Sequence, residues 1–297
     1  MGVAIGAIRL PATTSGLDDP WVIVREAERL GFESVWAGEH HVIPGDTGSK
    51  NAFYTAGVPG MSSPLITLAG AAAVTRTMKV GTGVLLPVQR NPLLLAKEIA
   101  SLDADSGGRL EVGIGLGWNR EECEIMGGDF SQRAAQAKEA VQVMKLLWSE
   151  EFVEFHGKFY DFPLLKSAPG PITKPHPPIL LGMHTDQALN RIVDYADGWL
   201  EAVTDPDKLV GVGIEHIAGG RAKLDRLAVD AGRDPASISI RVLLIDRDEK
   251  VDQTLIGRYT EAGANHVQLL GTPNLPEAMT SQTAALEWIR RVADRVL

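Results

Sequence analysis

The tripeptide Glu39-His40-His41 follows the apolar run Ser34–Ala37, and it contains the residues of this chain best suited to move a proton near neutral pH. His40 can exchange protons with a substrate or a ring nitrogen, or serve as a buried structural histidine. Adjacent histidines on an extended chain point to opposite sides, so His40 and His41 do not readily hold one metal ion. No H-x-x-x-H or Cys/His spacing adds ligands, and no metal site is expected. A second group, Trp118 followed by Glu121 and Glu122, opens a helix. Acidic residues there complement the helix dipole, or Glu122 projects toward a ligand on the face of Trp118. A third group, Gly182-Met183-His184-Thr185, precedes a helix whose free N–H groups suit an anion such as a cofactor phosphate. Thr185 serves equally well there as an N-cap.

Glycine concentrates at Val80–Pro87 (VGTGVLLP) and Val112–Trp118 (VGIGLGW). Such glycines either end strands or let a backbone approach a flat ligand closely, and two adjacent strands ending this way favour a planar cofactor. The common nucleotide motifs fail when counted out. After Gly113 and Gly115 the third glycine of G-x-G-x-x-G is Trp118, and no G-x-x-x-x-G-K-[ST] occurs. Cys123 reads as packing.

The elements that must position these groups alternate from end to end. Continuous apolar runs, as of strands buried on both faces, are Val3–Leu10, Ser34–Ala37, Lys79–Leu86, Leu110–Gly115, Ile179–Gly182, Gly198–Ala202, Ile238–Ile245 and His266–Leu270. Between and after them lie helical stretches at Pro20–Leu30, Pro64–Val74, Pro92–Ala104, Gln132–Trp148, Gln187–Tyr195, Pro206–Ala231, Glu249–Ala262 and Pro276–Val296. Eight such pairs predict an α/β fold, a (β/α)8 TIM barrel with its site at the strand C-terminal ends, over an open doubly wound sheet. Two stretches are longer than ordinary connections. One is the Gly/Ser-rich loop 41–63, a lid or a surface excursion. The other is an insertion, 151–177, after the helices that follow the fourth strand, in which FVEFHGKFYDF reads as a hairpin turning at His156-Gly157.

The chain has 297 residues, 44% hydrophobic and 23% charged, with net charge −9 and one cysteine. That charge and the lack of a Lys/Arg cluster argue against nucleic-acid binding. A lone cysteine forms no internal disulfide and suits a cytoplasmic protein. No apolar stretch reaches the length of a membrane span, and the first residues lack a signal-peptide pattern.

Gly31–Pro44 (GFESVWAGEHHVIP), Val80–Glu122 and Lys174–Leu200 together closely resemble the luciferase-like monooxygenase superfamily, in particular its coenzyme F420-dependent oxidoreductase branch. The ordered set RNP…LAK…LD…SGGR…G-x-G-W-x-x-x-E carries the resemblance, which spans residues 1–200 and weakens beyond. It implies one barrel domain over 1–297, commonly dimeric, that binds a flavin or deazaflavin and acts on a small organic molecule. A cis peptide at the end of the third strand would fall at Gly83-Val84. The pocket would be shaped by Glu39, His40, Thr82, Gly83, Val84, Trp118, Gly182, Met183, His184 and Thr185. His40 is the expected proton donor or orienter, with Glu122 second. The cofactor so implied is coenzyme F420, with FMN and oxygen chemistry as the alternative and a non-catalytic deazaflavin-binding protein as a third reading. Family members acting on sugar phosphates carry an acid where Trp118 stands, and many have Gly-Gly and Ser where this chain has Met183, His184 and Thr185. Those departures put a sugar-phosphate substrate and the phosphate contacts in doubt.

Overall fold

The computed structural model describes residues 2–5, 19, 21–45, 62–183, 186–203, 212–246, 250–271 and 281–297. The strands are β1 (Gly2–Ile5), β2 (Ser34–Ala37), β3 (Lys79–Thr82), β4 (Leu110–Gly115), β5 (Val153–His156), β6 (Asp161–Leu165), β7 (Ile179–Gly182), β8 (Gly198–Val203), β9 (Ser239–Asp246) and β10 (His266–Gly271). All but β5 and β6 form one closed parallel barrel in the order β1-β10-β9-β8-β7-β4-β3-β2. Gly2 to Ile5 pair with His266 to Leu269, and Ile5 meets Val35 to close the ring.

Around the barrel lie α1 (Val22–Leu30), α2 (Pro64–Val74), α3 (Pro92–Ser106), α4 (Arg120–Ile125), α5 (Arg133–Ser149), α6 (Asp186–Tyr195), α7 (Val212–Asp230), α8 (Gln253–Glu261) and α9 (Gln282–Val296). The helix starts expected at Pro20, Pro206, Glu249 and Pro276 lie outside the described residues. No described helix is long and apolar enough to cross a membrane.

The strands read as unbroken apolar runs because each has two buried faces. Val35, Val80, Val112, Leu181, Val242 and Val267 belong to the large core shared with the helices. Their neighbours Trp36, Leu180 and Leu200 fill the barrel interior with Val84. The run expected as one strand from Lys79 to Leu86 stops at Thr82. There the Gly83-Val84 peptide is cis, Leu85 bridges Ile114, and Pro87–Gln89 form a short 3-10 turn.

Several motif residues prove to be fasteners. Asn91 caps α3 by accepting from Leu93 N at 2.9 Å, and Pro92 takes the first helical position, where its missing N–H costs nothing. Arg109 of SGGR donates to the carbonyls of Ala72, Thr75 and Met78, satisfying the exposed end of α2. Asp103 accepts from Thr173 N and Oγ1 at 2.8 and 2.7 Å, anchoring the return of the 151–177 segment. Within that segment β5 and β6 pair antiparallel, as the FVEFHGKFYDF pattern predicts. Glu139 of α5 steadies their turn by accepting from the N–H groups of Lys158, Phe159 and Tyr160. Of the loop 41–63, residues 46–61 lie outside the described residues.

The N-terminal end of the barrel is polar. Lys79 Nζ lies 3.0 Å from Glu33 and 3.3 Å from Glu111, which Arg241 grips from the other side at 2.8 Å. The His266 ring beside Glu33, opposed by burial and helped by Lys79, holds the Glu33 carboxyl at about 2 instead of the ordinary 4.5. A carboxyl lowered in the folded state stabilises above its unfolded pKa and loses that contribution as pH falls through the folded one. Thermal unfolding should therefore show Glu33→Gln less stable than the parent at neutral pH, with the gap closing between about pH 4.5 and 2. A gap independent of pH would refute the role.

Candidate active site

The C-terminal ends of β2, β3 and β4 bring the chemistry-bearing residues together. After β2 the chain runs through Glu39, His40 and His41. After β4 it runs through Trp118 to Asn119, whose side chain caps α4 by accepting from Glu122 N at 3.1 Å. In a capping box the acid three residues after the cap reaches back to the cap's own N–H. Glu122 spends its carboxylate across the barrel mouth instead. Its Oε2 lies 2.6 Å from His40 Nδ1, and its Oε1 accepts from the His41 backbone N–H at 2.7 Å. Glu122 is fully buried, while the His40 side chain keeps 11% exposure.

The Trp118 ring stands edge-on to His40, with centroids 5.7 Å apart and planes at 73°. Trp118 is 46% exposed, unusual for so large an apolar ring, so an aromatic surface faces outward beside the histidine. The arrangement can do two things: hold His40 in one orientation with Nδ1 facing the carboxylate, and present an aromatic side wall to whatever enters.

Glu39 does different work. Its Oε2 accepts from Leu86 N at 2.7 Å, and its Oε1 accepts from Arg90 Nε at 3.0 Å and from Arg90 Nη2. His41 Nε2 lies 3.3 Å from the same oxygen. With both oxygens committed and 5% exposure, Glu39 braces the end of β2 against the turn after β3. Sequence reading missed Arg90 as a site residue. Its signal was the RNP motif, where Asn91 and Pro92 have a helix-start explanation and the arginine has none.

The other expected pocket residues divide. Thr82 is buried and donates from Oγ1 to Gly113 O at 2.8 Å, so it ties β3 to β4 and does not line the mouth. Met183 likewise turns away: it packs in the helix-side core, near Arg191, and its carbonyl accepts from Trp199 Nε1 at 3.0 Å. His184 and Thr185 lie outside the described residues. The glycines at the strand ends have a use inside the protein: a Cβ on either Gly115 or Gly182 would overlap the Val84 side chain. Val84 is thereby seated across the barrel mouth as an apolar floor, immediately after the cis bond expected at Gly83-Val84.

Cys123 is 1% exposed and burial pushes its thiol up, which fits the packing role. Among the described residues no group of His, Cys, Asp and Glu has the makings of a metal site.

An uncharacterised protein of Mycobacterium tuberculosis is 30% identical over 286 residues, covering 93% of each chain. The F420-dependent hydroxymycolic acid dehydrogenase of Mycobacterium tuberculosis is 30% identical over 223 residues, covering 73% of this chain and 56% of that one. The crystal structure of a monooxygenase from Streptomyces bottropensis superposes with a TM-score of 0.72 at 21% identity, covering 97% of this chain and 98% of that one. The family model for luciferase-like monooxygenases matches residues 7–285, and the chain belongs to that family.

Proposed function

We propose that this protein is an oxidoreductase that transfers a hydride between coenzyme F420, a deazaflavin, and a small organic substrate at this barrel mouth. The observation that carries the reading is the His40–Glu122 pair: a histidine held by a fully buried carboxylate, beside a half-exposed indole. The residues present suit a flat ring. Val84 offers an apolar floor, and Trp118 an aromatic side. When bound, the deazaflavin would supply the hydride chemistry, while the protein supplies orientation and exclusion of water.

The chain's own contribution follows from its hydrogen bonds. Glu122 accepts from His40 Nδ1, and the proposal gives Nε2 the exchange of a proton with substrate. Glu122 itself has no oxygen to spare and acts as a positioning residue. The choice of F420 over FMN rests on the ordered motif set and on likeness to the F420-dependent dehydrogenase. The same proposal has the protein working as a cytoplasmic homodimer on small molecules. Its net charge of −9 supports the absence of nucleic acid and says nothing about substrate.

Titration of the purified protein with each cofactor tests the reading. Quenching of deazaflavin fluorescence at micromolar concentration, with no response to FMN, is expected. Tight FMN binding alone would turn the assignment to an oxygen-using flavin enzyme. His40→Ala should keep cofactor affinity and lose turnover. Deazaflavin binding by the parent without turnover across a broad panel of acceptors would favour the non-catalytic reading.

A further inference from the structure

A chain of hydrogen bonds runs through the barrel interior from its polar end toward the mouth. Glu33 Oε2 lies 3.2 Å from His266 Nδ1, and His266 Nε2 lies 3.1 Å from Ser34 Oγ. Ser34 Oγ in turn accepts from Trp36 Nε1 at 2.7 Å. The indole can only donate and the carboxylate can only accept, and Ser34 Oγ joins them through His266, as donor to a neutral ring or as acceptor from a protonated one.

The order Ser–His–Glu has the linkage of a hydrolytic triad, and the site excludes that use. Ser34 is fully buried, and its oxygen already holds the indole N–H. A nucleophile needs room for a reacting atom beside it. What the chain does hold is Trp36. The indole is 1% exposed and lies so close to Gly81 that a Cβ there would come within 2.5 Å of it. A Cβ at Gly83 would sit 3.6 Å from the same ring, and the indole packs in one cluster with Val84, Leu180 and Leu200. Trp36 is therefore the support beneath the Gly83-Val84 floor.

We propose that Ser34 and His266 are positioning residues for the reaction, acting through Trp36 to set the height and orientation of the Val84 floor. The proposal rests on the reading that a planar cofactor lies against Val84. Neither residue touches the mouth itself. Both act from the closed interior, through an indole that donates its N–H to Ser34.

The test uses the full chain, indole 15N–1H NMR and deazaflavin fluorescence. Trp36→Phe identifies the Trp36 signal among the six tryptophans. In Ser34→Ala that signal should move upfield and exchange faster with solvent, and cofactor affinity should fall by roughly tenfold, the loss of one buried hydrogen bond. The affinity loss should vanish when Ser34→Ala is made in the Trp36→Phe background, because the path through the indole N–H is then already cut. Additive losses would overturn the proposal, as would unaltered affinity in Ser34→Ala when the parent binds. A parent that binds neither deazaflavin nor FMN would instead sink the proposed function, and the indole signal would still report on the chain. If Ser34→Ala does not fold, Glu33→Gln at the partly exposed end carries the same comparison.

Discussion

Glu122→Gln is expected to lower turnover by roughly 100-fold or more while leaving the fold and cofactor affinity near those of the parent. The carboxylate accepts at both oxygens, from His40 Nδ1 and from the His41 backbone. An amide keeps the shape but has one acceptor oxygen and one donor nitrogen. If its oxygen stays on the His41 N–H, its nitrogen faces His40 Nδ1 and forces the ring's proton onto Nε2. The nitrogen that should accept or release a proton at substrate is then locked in one state. The 15N shifts of the His40 ring read this directly and need no substrate: protonation at Nδ1 in the parent, at Nε2 in the variant. Parent-like ring shifts together with parent-like turnover would refute the positioning role.

Arg90→Met should cost about 3–5 kcal/mol of stability, since it leaves the Glu39 carboxylate buried without its cation. Methionine keeps much of the arginine's length, so lost packing contributes little to that figure. The diagnostic is the second substitution. Adding Glu39→Gln should recover part of the loss, because a neutral amide is far cheaper to bury than an unpaired charge. Denaturant unfolding of the two single variants and the double variant closes the cycle. Strictly additive losses would mean that the pair does not act as a unit.

The strands Ser34–Ala37, Leu110–Gly115 and Ile179–Gly182 were legible to the residue, because short apolar runs bounded by turn residues are local signals. The insertion hairpin was legible for the same reason. The end of the third strand was not. Leu85 and Leu86 continue the apolar pattern beyond Thr82, yet the backbone turns at Gly83-Val84 to cross the mouth. Glycine at the strand ends was legible as a need for close approach. What approaches is Val84 and the Thr82 carbonyl beside Gly113, and a sequence does not name the neighbour. The side chain of Thr82 bonds to Gly113 and that of Met183 packs in the core, and a strand buried on both faces gives no sign in its sequence of which side chains point inward.

The sequence by itself determined the eightfold alternation that makes a barrel, the family, and the candidacy of His40 and Glu122. These depend on residue types and on order along the chain. The tertiary structure alone decided the pairings: Glu122 with His40 across 82 positions, Arg90 with Glu39 across 51, and His266 with Ser34 across 232. The reason is strand neighbourhood: β3 between β2 and β4 brings the first two pairs together at the mouth, β1 between β2 and β10 brings the third together at the other end, and the alternation of inward and outward side chains settles which groups meet.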